Sequence, residues 1–217
     1  MSRVIALNID ILEYLHYSYT NQGRSMSRKL EILETARKLF NESNTQAVTT
    51  NHIAKEMGIS PGNLHYHYSN REEIIRLLYK HIREEMTLSI DELPKALDEL
   101  SEHQKVLIGI QWEYRFFFRE MLFLFSRDVM LKEQYIKDNV AHRSRIHFTM
   151  VRFVETGELD IKDSNTLEYV TDAILMSWQF YTSLMETLGR PLSRESVEEA
   201  VQYTSNAMKP YKTKNEN

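Results

Sequence analysis

Residues 49–74, TTNHIAKEMGISPGNLHYHYSNREEI, carry the signals for two short helices joined by a glycine turn. Thr49 or Thr50 can cap the first helix, and Gly58 can adopt the left-handed conformation that ends it. Ser60 and the proline after it signal the second helix, because serine is a good cap and proline fits a first turn. The stretch therefore predicts a helix-turn-helix, whose second helix lies in the major groove of DNA.

Helices are also predicted on both sides of this stretch. Apolar residues within 30–40 recur at helical spacing and would form one buried face. After the stretch, Asn70 with Glu73 three residues later is a capping-box pattern, which opens a helix reaching Met86. We therefore assign residues 26–88 to one helix-turn-helix domain.

The rest of the chain has few residues that end helices. The 217 residues include only 6 glycines and 4 prolines, well under half of their usual combined share of about 12%. Helices are expected near 94–107, 109–126, 128–155, 165–188 and 194–208. Gly157 and Gly189 are placed to cap two of them. The predicted fold class is all-α, with a second helical domain in residues 89–217.

Composition and charge exclude several classes of protein. Hydrophobic residues make up 42% of the chain, which excludes a wholly disordered protein. Cysteine is absent, so disulfide scaffolds and cysteine nucleophiles are excluded, and a cytoplasmic location is expected. The most apolar stretch, 106–125, holds four charged residues that would be costly to bury in lipid, so we expect no membrane association. Residues 1–71 carry a formal charge of +2 and residues 72–217 carry −6, so a polyanion would prefer the N-terminal part.

Residues 1–25 are an N-terminal extension with two interpretations. Their apolar residues give way to the polar run 18–25, and a second start-like sequence begins at Met26. The extension is either an additional helix or the product of an upstream start that the native protein does not use.

The predicted second helix presents different residues to its two sides. At about 100° per residue, Leu64 and Tyr68 point inward together, whereas Gly62 and Tyr66 point outward. Because Gly62 has no side chain, the backbone there can approach the base edges of DNA closely.

Side chains around this helix suit contacts with a duplex. Asn63 can donate and accept hydrogen bonds, as adenine recognition requires. Tyr66 and His67 can reach phosphate oxygens, and Thr50 offers its hydroxyl group to a phosphate. The alternative is that Tyr66, His67 and Tyr68 only pack the helical core, an interpretation that we favour for Tyr68.

The segment from 27 to 87 resembles the DNA-binding domain of the tetracycline-repressor (TetR/AcrR) family, with many positions matching in order and without gaps between Thr49 and Ile74. The family usually has an aromatic residue where this chain has His65 and a lysine where it has Arg71. The resemblance implies phosphate contacts from Thr50, Tyr66, His67 and Arg71. It implies groove contacts from Asn51, Lys55, Gly62, Asn63 and His65.

The second half resembles part of the same family more weakly, in the runs 112–120, 131–135 and 157–159. This resemblance implies an effector cavity enclosed by helices and pairing of the last two helices with a second subunit. The 165–188 helix is apolar almost all round and must be covered on both sides, most simply by a partner chain on one of them. The 194–208 helix has a narrower stripe, expected at the edge of a dimer: Val197, Val201, Thr204 and Met208. We therefore expect a homodimer that binds a palindromic operator in double-stranded DNA.

Aromatic residues of the second half are candidates for the lining of an effector pocket. They are Trp112, Phe116, Phe123, Tyr135, Phe148, Trp178 and Tyr181. Arg115 or Arg119 would bind an acidic head group, so the expected effector is an apolar, lipid-like small molecule with a carboxylate or thioester. The alternative is plain core packing, with both arginines in structural ion pairs.

No cofactor, metal or catalytic residue is predicted. His65 and His67 would lie about 200° apart around a helix and cannot share a metal ion. The spacing of a glutamate–histidine metal motif occurs only at Glu13 and His16, whereas a diiron bundle needs two such motifs. Glycine-rich phosphate loops and the nucleophile turn of hydrolases are also absent from the sequence.

The expected function is that of a dimeric DNA-binding transcriptional regulator, most simply a repressor released by a small molecule. One alternative is a DNA-bound adapter that docks a partner protein without a small-molecule effector. A helical enzyme is disfavoured, because no acid, base and nucleophile converge in the sequence.

Overall fold

The computed structural model of the protein describes residues 27–87, 92–191 and 193–213, so the predicted extension, residues 1–25, lies outside the described residues. The described residues form nine α-helices and a short 3₁₀ turn, without a β-strand, which confirms the all-α fold class. The chain divides into two compact units after Glu85, close to the boundary predicted at residue 88.

The N-terminal unit contains α1 (Arg28–Glu42), α2 (Thr50–Glu56), α3 (Pro61–His67) and most of α4 (Arg71–Met86). Short polar side chains start the first three helices, as the sequence predicted for α2 and α3. The hydroxyls of Ser27, Thr49 and Ser60 each accept a hydrogen bond from a main-chain amide in the first turn. Gly58, with φ of 65°, takes the left-handed conformation in the turn between α2 and α3.

The core of this unit consists of apolar side chains from all four helices. The fully buried ones include Ile32, Phe40, Ile53, Leu64 and Ile74. The predicted capping box of α4 is present in altered form: Asn70 Oδ1 accepts from the Glu73 amide at 2.8 Å, but the Glu73 carboxylate accepts from the Ser69 amide at 2.7 Å. The two side chains thus satisfy main-chain amides at the start of α4.

The C-terminal unit contains five helices and the 3₁₀ turn. They are α5 (Leu100–Glu113), α6 (Arg115–Arg127), α7 (Val129–Glu155), α8 (Ser164–Thr187), α9 (Arg194–Met208) and the turn Lys209–Tyr211. Phe153, Met150, Val170 and Met208 lie in a buried cluster where α7, α8 and α9 meet. Gly157 and Gly189 follow α7 and α8 with φ of 76° and 64°, as expected for C-terminal caps.

The first two helices predicted in this unit, 94–107 and 109–126, were misplaced. The chain passes through Gly109 as helix and breaks at Tyr114 instead, because a single glycine costs only about 1 kcal/mol inside a packed helix. The segment before α5 is not helical, since its amides bind carboxylates: Lys95 N donates to Glu99 at 2.8 Å and Leu97 N donates to Glu158 at 2.7 Å.

Within residues 27–87, 92–191 and 193–213, no helix combines the length and the apolar character needed to cross a bilayer.

Candidate nucleic-acid interface and effector cavity

Helix α3 has one buried side and one exposed side, as its periodicity predicted. Leu64 is fully buried and Tyr68 is 3% exposed, whereas Tyr66 is 85% exposed. Gly62, Asn63 and His65 are exposed as well. A row of polar groups and bare backbone is therefore presented away from the core.

The neighbouring aromatic residues at the end of α3 have different environments. The hydroxyl of Tyr68 donates to the main-chain oxygen of Lys29 at 3.0 Å, so this side chain belongs to the core, as we favoured. The ring of His67 is half-buried and contacts the edge of Tyr66 at 5.2 Å between ring centroids. Core packing does not account for Tyr66, because its side chain lies almost entirely in solvent.

Helix α2 is capped by Thr49 rather than Thr50. Thr49 Oγ1 accepts from the His52 amide, and His52 Nδ1 accepts from the Thr49 amide, both at 3.3 Å. Thr50 is thus the first residue of the helix, and its hydroxyl does not serve as the cap. Asn51 and Lys55 are exposed on the same helix.

Arg71 is half-buried at the start of α4. Its guanidinium donates to the main-chain oxygen of Thr45 at 2.6 Å and to the Glu72 carboxylate at 3.1 Å. Arg71 therefore ties the segment after α1 to α4, and this structural role accompanies the phosphate contact that the family resemblance implies.

The C-terminal unit contains a cavity of about 70 Å³. Its polar lining comprises His103, Gln104, His142, Arg145, Thr149, Thr204 and Trp178. Of the nine residues predicted to bind an effector, Trp178 is the one that lines this cavity. The other eight pack elsewhere, because an aromatic-rich sequence predicts a core but does not locate the gaps in it.

Most of the other predicted aromatic residues have identified partners in the packed unit. Phe116 is fully buried, Trp112 lies under the Arg115 guanidinium at 4.5 Å, and Phe123 lies 6.0 Å from Arg127. Phe148 is 42% exposed, with Arg152 at 5.0 Å from its ring. Phe116 therefore packs in the core, whereas Phe148 lies partly at the surface.

The two remaining aromatic residues and Arg119 make polar contacts. Tyr135 is buried and hydrogen-bonded to Gln179. Tyr181 donates to Glu199 at 2.8 Å. The Arg119 guanidinium lies 3.1 Å from Glu120 and 4.0 Å from Glu186, so it takes part in ion pairs.

Two histidines of the cavity are held in the neutral form. Burial, together with the nearby Arg145 and His103, lowers the pKa of His142 to about 4. Burial and Arg145 also lower the pKa of His103. At neutral pH, the charged group of the lining is therefore Arg145.

His103, Gln104, His142 and Arg145 were not predicted as a group. One signal was available: Gln104 lies between Leu100 and Leu107 on the apolar stripe of α5, where a polar residue is unusual. Arg145 and His142 had no such signal, because they come together with α5 only in the folded unit.

Several apolar side chains on α8 and α9 are exposed. Met176, Phe180 and Leu184 follow one another at intervals of four along α8 and are 55%, 41% and 43% exposed, and Tyr203 on α9 is 50% exposed. Two residues of the predicted stripe of α9 face the unit's own core, since Thr204 and Met208 are 5% and 1% exposed. The exposed face is therefore built mainly from α8.

Two family profiles together match most of the chain. The profile described as bacterial regulatory proteins of the tetR family matches residues 32–78. A TetR profile described as a bacterial transcriptional repressor matches residues 78–217. No protein with curated annotation matches the sequence.

Solved structures show the same fold at low sequence identity. A TetR-family transcriptional regulator from Marinobacter aquaeolei VT8 has a TM-score of 0.79 and 22% identity, with 87% of this chain and 92% of that chain covered. The ketosteroid transcriptional regulator KstR2 of Mycobacterium tuberculosis has a TM-score of 0.61 and 19% identity, with 88% of this chain and 98% of that chain covered. SmeT in complex with triclosan has a TM-score of 0.58 and 13% identity, with 88% of this chain and 94% of that chain covered. Because the second profile alone spans more than half of the residues, the chain belongs to the TetR family of DNA-binding transcriptional regulators.

Proposed function

We propose that this protein is a repressor that binds a palindromic operator as a homodimer and is released by a small molecule. It acts in the cytoplasm, the compartment that holds bacterial DNA. The observation that carries the proposal is the two-sided helix α3, in which Leu64 and Tyr68 are buried while Gly62 and Tyr66 lie in solvent. A helix anchored on one side can enter a major groove with the other.

The operator complex contains two kinds of contact: contacts that position the protein on the duplex and contacts that recognise the base sequence. Thr50, Tyr66, His67 and Arg71 bind phosphate oxygens and fix the position of α3 on the duplex. The groove contacts come from Asn51, Lys55, Gly62, Asn63 and His65. Asn63 is suited to adenine, because its amide both donates and accepts.

Dimerisation uses the exposed apolar face of α8. Met176, Phe180 and Leu184 are exposed at helical spacing, and a second copy of the same helix would bury them. One α3 helix can contact only a few base pairs, whereas two copies about 34 Å apart contact both halves of a palindrome.

Release by an effector follows from linkage between two binding sites. Helix α4 starts at Arg71 in the DNA-binding unit and ends at Met86, which lines the cavity. A ligand that binds best when this helix holds α3 away from the groove weakens DNA binding by the same free energy. A coupling of about 1–3 kcal/mol changes operator affinity about 5- to 150-fold. The triclosan complex of SmeT supports a small-molecule site in this fold.

The test is binding-site selection from random duplex DNA at moderate salt. The wild-type protein is compared with Tyr66→Ala and His67→Ala, and Leu122→Ala serves as a control because Leu122 is a 70% exposed side chain of the C-terminal unit. We expect the wild type and the control to enrich one palindrome, and the two α3 variants to enrich none. Equal enrichment by all four proteins would exclude α3 as the recognition helix.

The adapter alternative has one observation in its favour. Leu122, Val129 and Met130 are 70%, 66% and 69% exposed around the junction of α6 and α7, and exposed apolar residues can mark a protein interface. In an adapter, Leu122→Glu would disrupt regulation in cells and leave operator affinity unchanged. In the effector-controlled repressor, Leu122→Glu would leave both regulation in cells and operator affinity intact.

A further inference from the structure

The cavity of the C-terminal unit has a mainly apolar wall and limited space. Leu100, Leu107, Ile146, Met150 and Ile174 line it, and none of its described lining residues is an aspartate or glutamate. Its volume of about 70 Å³ is well below the 300–1,000 Å³ of pockets that hold drug-sized ligands. The space suits a molecule more compact than the lipid-like effector expected from the sequence.

Two polar atoms on this wall lack hydrogen-bond partners among the described residues. They are Gln104 Oε1 and Trp178 Nε1, and their side chains belong to residues that are 8% and 9% exposed. Leaving such a buried atom unpaired is destabilising. One atom is an acceptor and the other is a donor, so a single hydroxyl group could satisfy both.

The two threonine hydroxyls of the wall already have partners. Thr149 Oγ1 donates to the Arg145 main-chain oxygen at 3.0 Å, and Thr204 Oγ1 donates to the Ala200 oxygen at 3.1 Å. Among the described lining residues, the buried side-chain atoms without a partner are therefore Gln104 Oε1 and Trp178 Nε1.

Arg145 gives the wall a positive charge. Burial lowers the pKa of Arg145, and the nearby carboxylate of Asp138, which accepts hydrogen bonds from Gln134 at 3.1 and 3.2 Å, opposes this shift. The guanidinium remains protonated at neutral pH. A cation beside a largely apolar wall attracts an anionic group, and a carboxylate matches the planar guanidinium.

We infer that this cavity binds a small hydroxycarboxylic acid with a compact apolar body. Arg145 binds the carboxylate, the hydroxyl group donates to Gln104 Oε1 and accepts from Trp178 Nε1, and the apolar residues contact the body. This inference rests on the proposed function, in which the same cavity holds the effector, and it names the chemical class of that effector.

The experiment measures binding of defined probes to the protein alone by titration calorimetry. The probes are 2-, 3- and 4-hydroxybenzoate and 3-hydroxyhexanoate, which vary the separation between hydroxyl and carboxylate. Benzoate and hexanoate lack the hydroxyl group, and the three hydroxybenzamides and 3-hydroxyhexanamide lack the charge. We expect at least one hydroxy acid to bind about tenfold more tightly than both its deoxy and its amide counterpart.

Variants assign the preference to the named side chains. Arg145→Met is expected to remove the preference for acid over amide. Lys137→Gln, which removes an exposed positive charge from the same helix, is expected to leave the preference intact. Gln104→Leu is expected to remove the preference for hydroxy acid over benzoate without lowering the melting temperature, because it replaces an unpaired buried amide with an apolar group. Loss of binding in Lys137→Gln as well would overturn the assignment.

The outcomes separate this inference from the repressor proposal. If no probe binds at 10 mM while the protein still binds its operator, the inference is overturned and the DNA-binding function stands. If a hydroxy acid binds with the expected preferences but operator affinity does not change, the ligand class is supported and release by an effector fails.

Discussion

The hydroxyl of Tyr68 donates a 3.0 Å hydrogen bond to the main-chain oxygen of Lys29, 39 residues earlier in the chain. Burial, with a contribution from Glu73, raises the pKa of Tyr68, so the hydroxyl remains a proton donor throughout the physiological range. This bond fastens the end of α3 to the beginning of α1. Two residues before it, Tyr66 is 85% exposed, so neighbouring tyrosines have separate roles.

Replacing each tyrosine should separate stability from DNA binding. Tyr68→Phe removes the hydrogen bond to Lys29 and should lower the free energy of unfolding by about 1 kcal/mol. Tyr66→Phe removes an exposed hydroxyl and should leave stability unchanged, while weakening operator binding through a lost phosphate contact. Urea denaturation and operator titration measure the two effects. Equal losses of stability in both variants would contradict the division of roles.

Two helical glycines provide a test of the close approach of α3 to DNA. A Cβ at Gly62 would meet only Ser60 Oγ, at 3.9 Å, and a Cβ at Gly109 would meet no atom within 4 Å. Both alanine substitutions should therefore be tolerated and raise the free energy of unfolding by up to about 1 kcal/mol.

The two alanine variants should differ only in their affinity for operator DNA. Gly62→Ala places a methyl group between backbone and base edges and should reduce operator affinity about tenfold or more, corresponding to about 1.4 kcal/mol. Gly109→Ala, in the other unit, should leave affinity unchanged. Fluorescence anisotropy with a labelled operator gives both values, and unchanged affinity in Gly62→Ala would mean that the backbone does not approach the bases.

A charge on the exposed face of α8 should prevent dimerisation. Phe180 is 41% exposed there, and Phe180→Glu would place a carboxylate in the proposed interface, where its desolvation is costly. Val140→Glu is the matched control, since Val140 is 60% exposed on α7. We expect monomers for Phe180→Glu and dimers for Val140→Glu by sedimentation equilibrium. The reverse result would move the interface to α7.

The neutral state of His142 should make stability depend on pH. The unfolded chain takes up this proton near pH 6.5, whereas the folded protein takes it up only near pH 4. Between these values the unfolded state binds more protons, so stability is greatest above pH 6.5 and falls toward pH 4 by about 3 kcal/mol.

His142→Phe is the variant that tests this pH dependence. It keeps a ring beside Trp178, whose centroid lies 5.1 Å from that of His142, and it removes the titrating group. Denaturation between pH 4 and 7 should show a shallower decline for the variant than for the wild type. Parallel curves would indicate that other groups cause the decline.

The helix-turn-helix could be predicted because its determinants are local in sequence. Ser60 caps α3 in the structure, and Gly58 provides the positive φ of the turn. The burial of Leu64 and the exposure of Tyr66 followed from the helical period alone, since a residue's direction on a short helix depends only on its position. Local geometry predicts where these residues lie on the helices, whereas their contacts with DNA were inferred from the family resemblance.

The sequence by itself determined the all-α class, the capped helices and the recognition helix, because caps, glycine turns and periodicity act over a few residues. Only the tertiary structure decided where the cavity lies, which assembles Gln104 of α5, His142 and Arg145 of α7, and Trp178 of α8. It also turned Thr204 and Met208 of α9 toward the chain's own core. The position of a cavity depends on how whole helices pack against one another, which no local sequence pattern encodes. The same holds for whether an apolar helix face is buried in the chain's own core or against a partner.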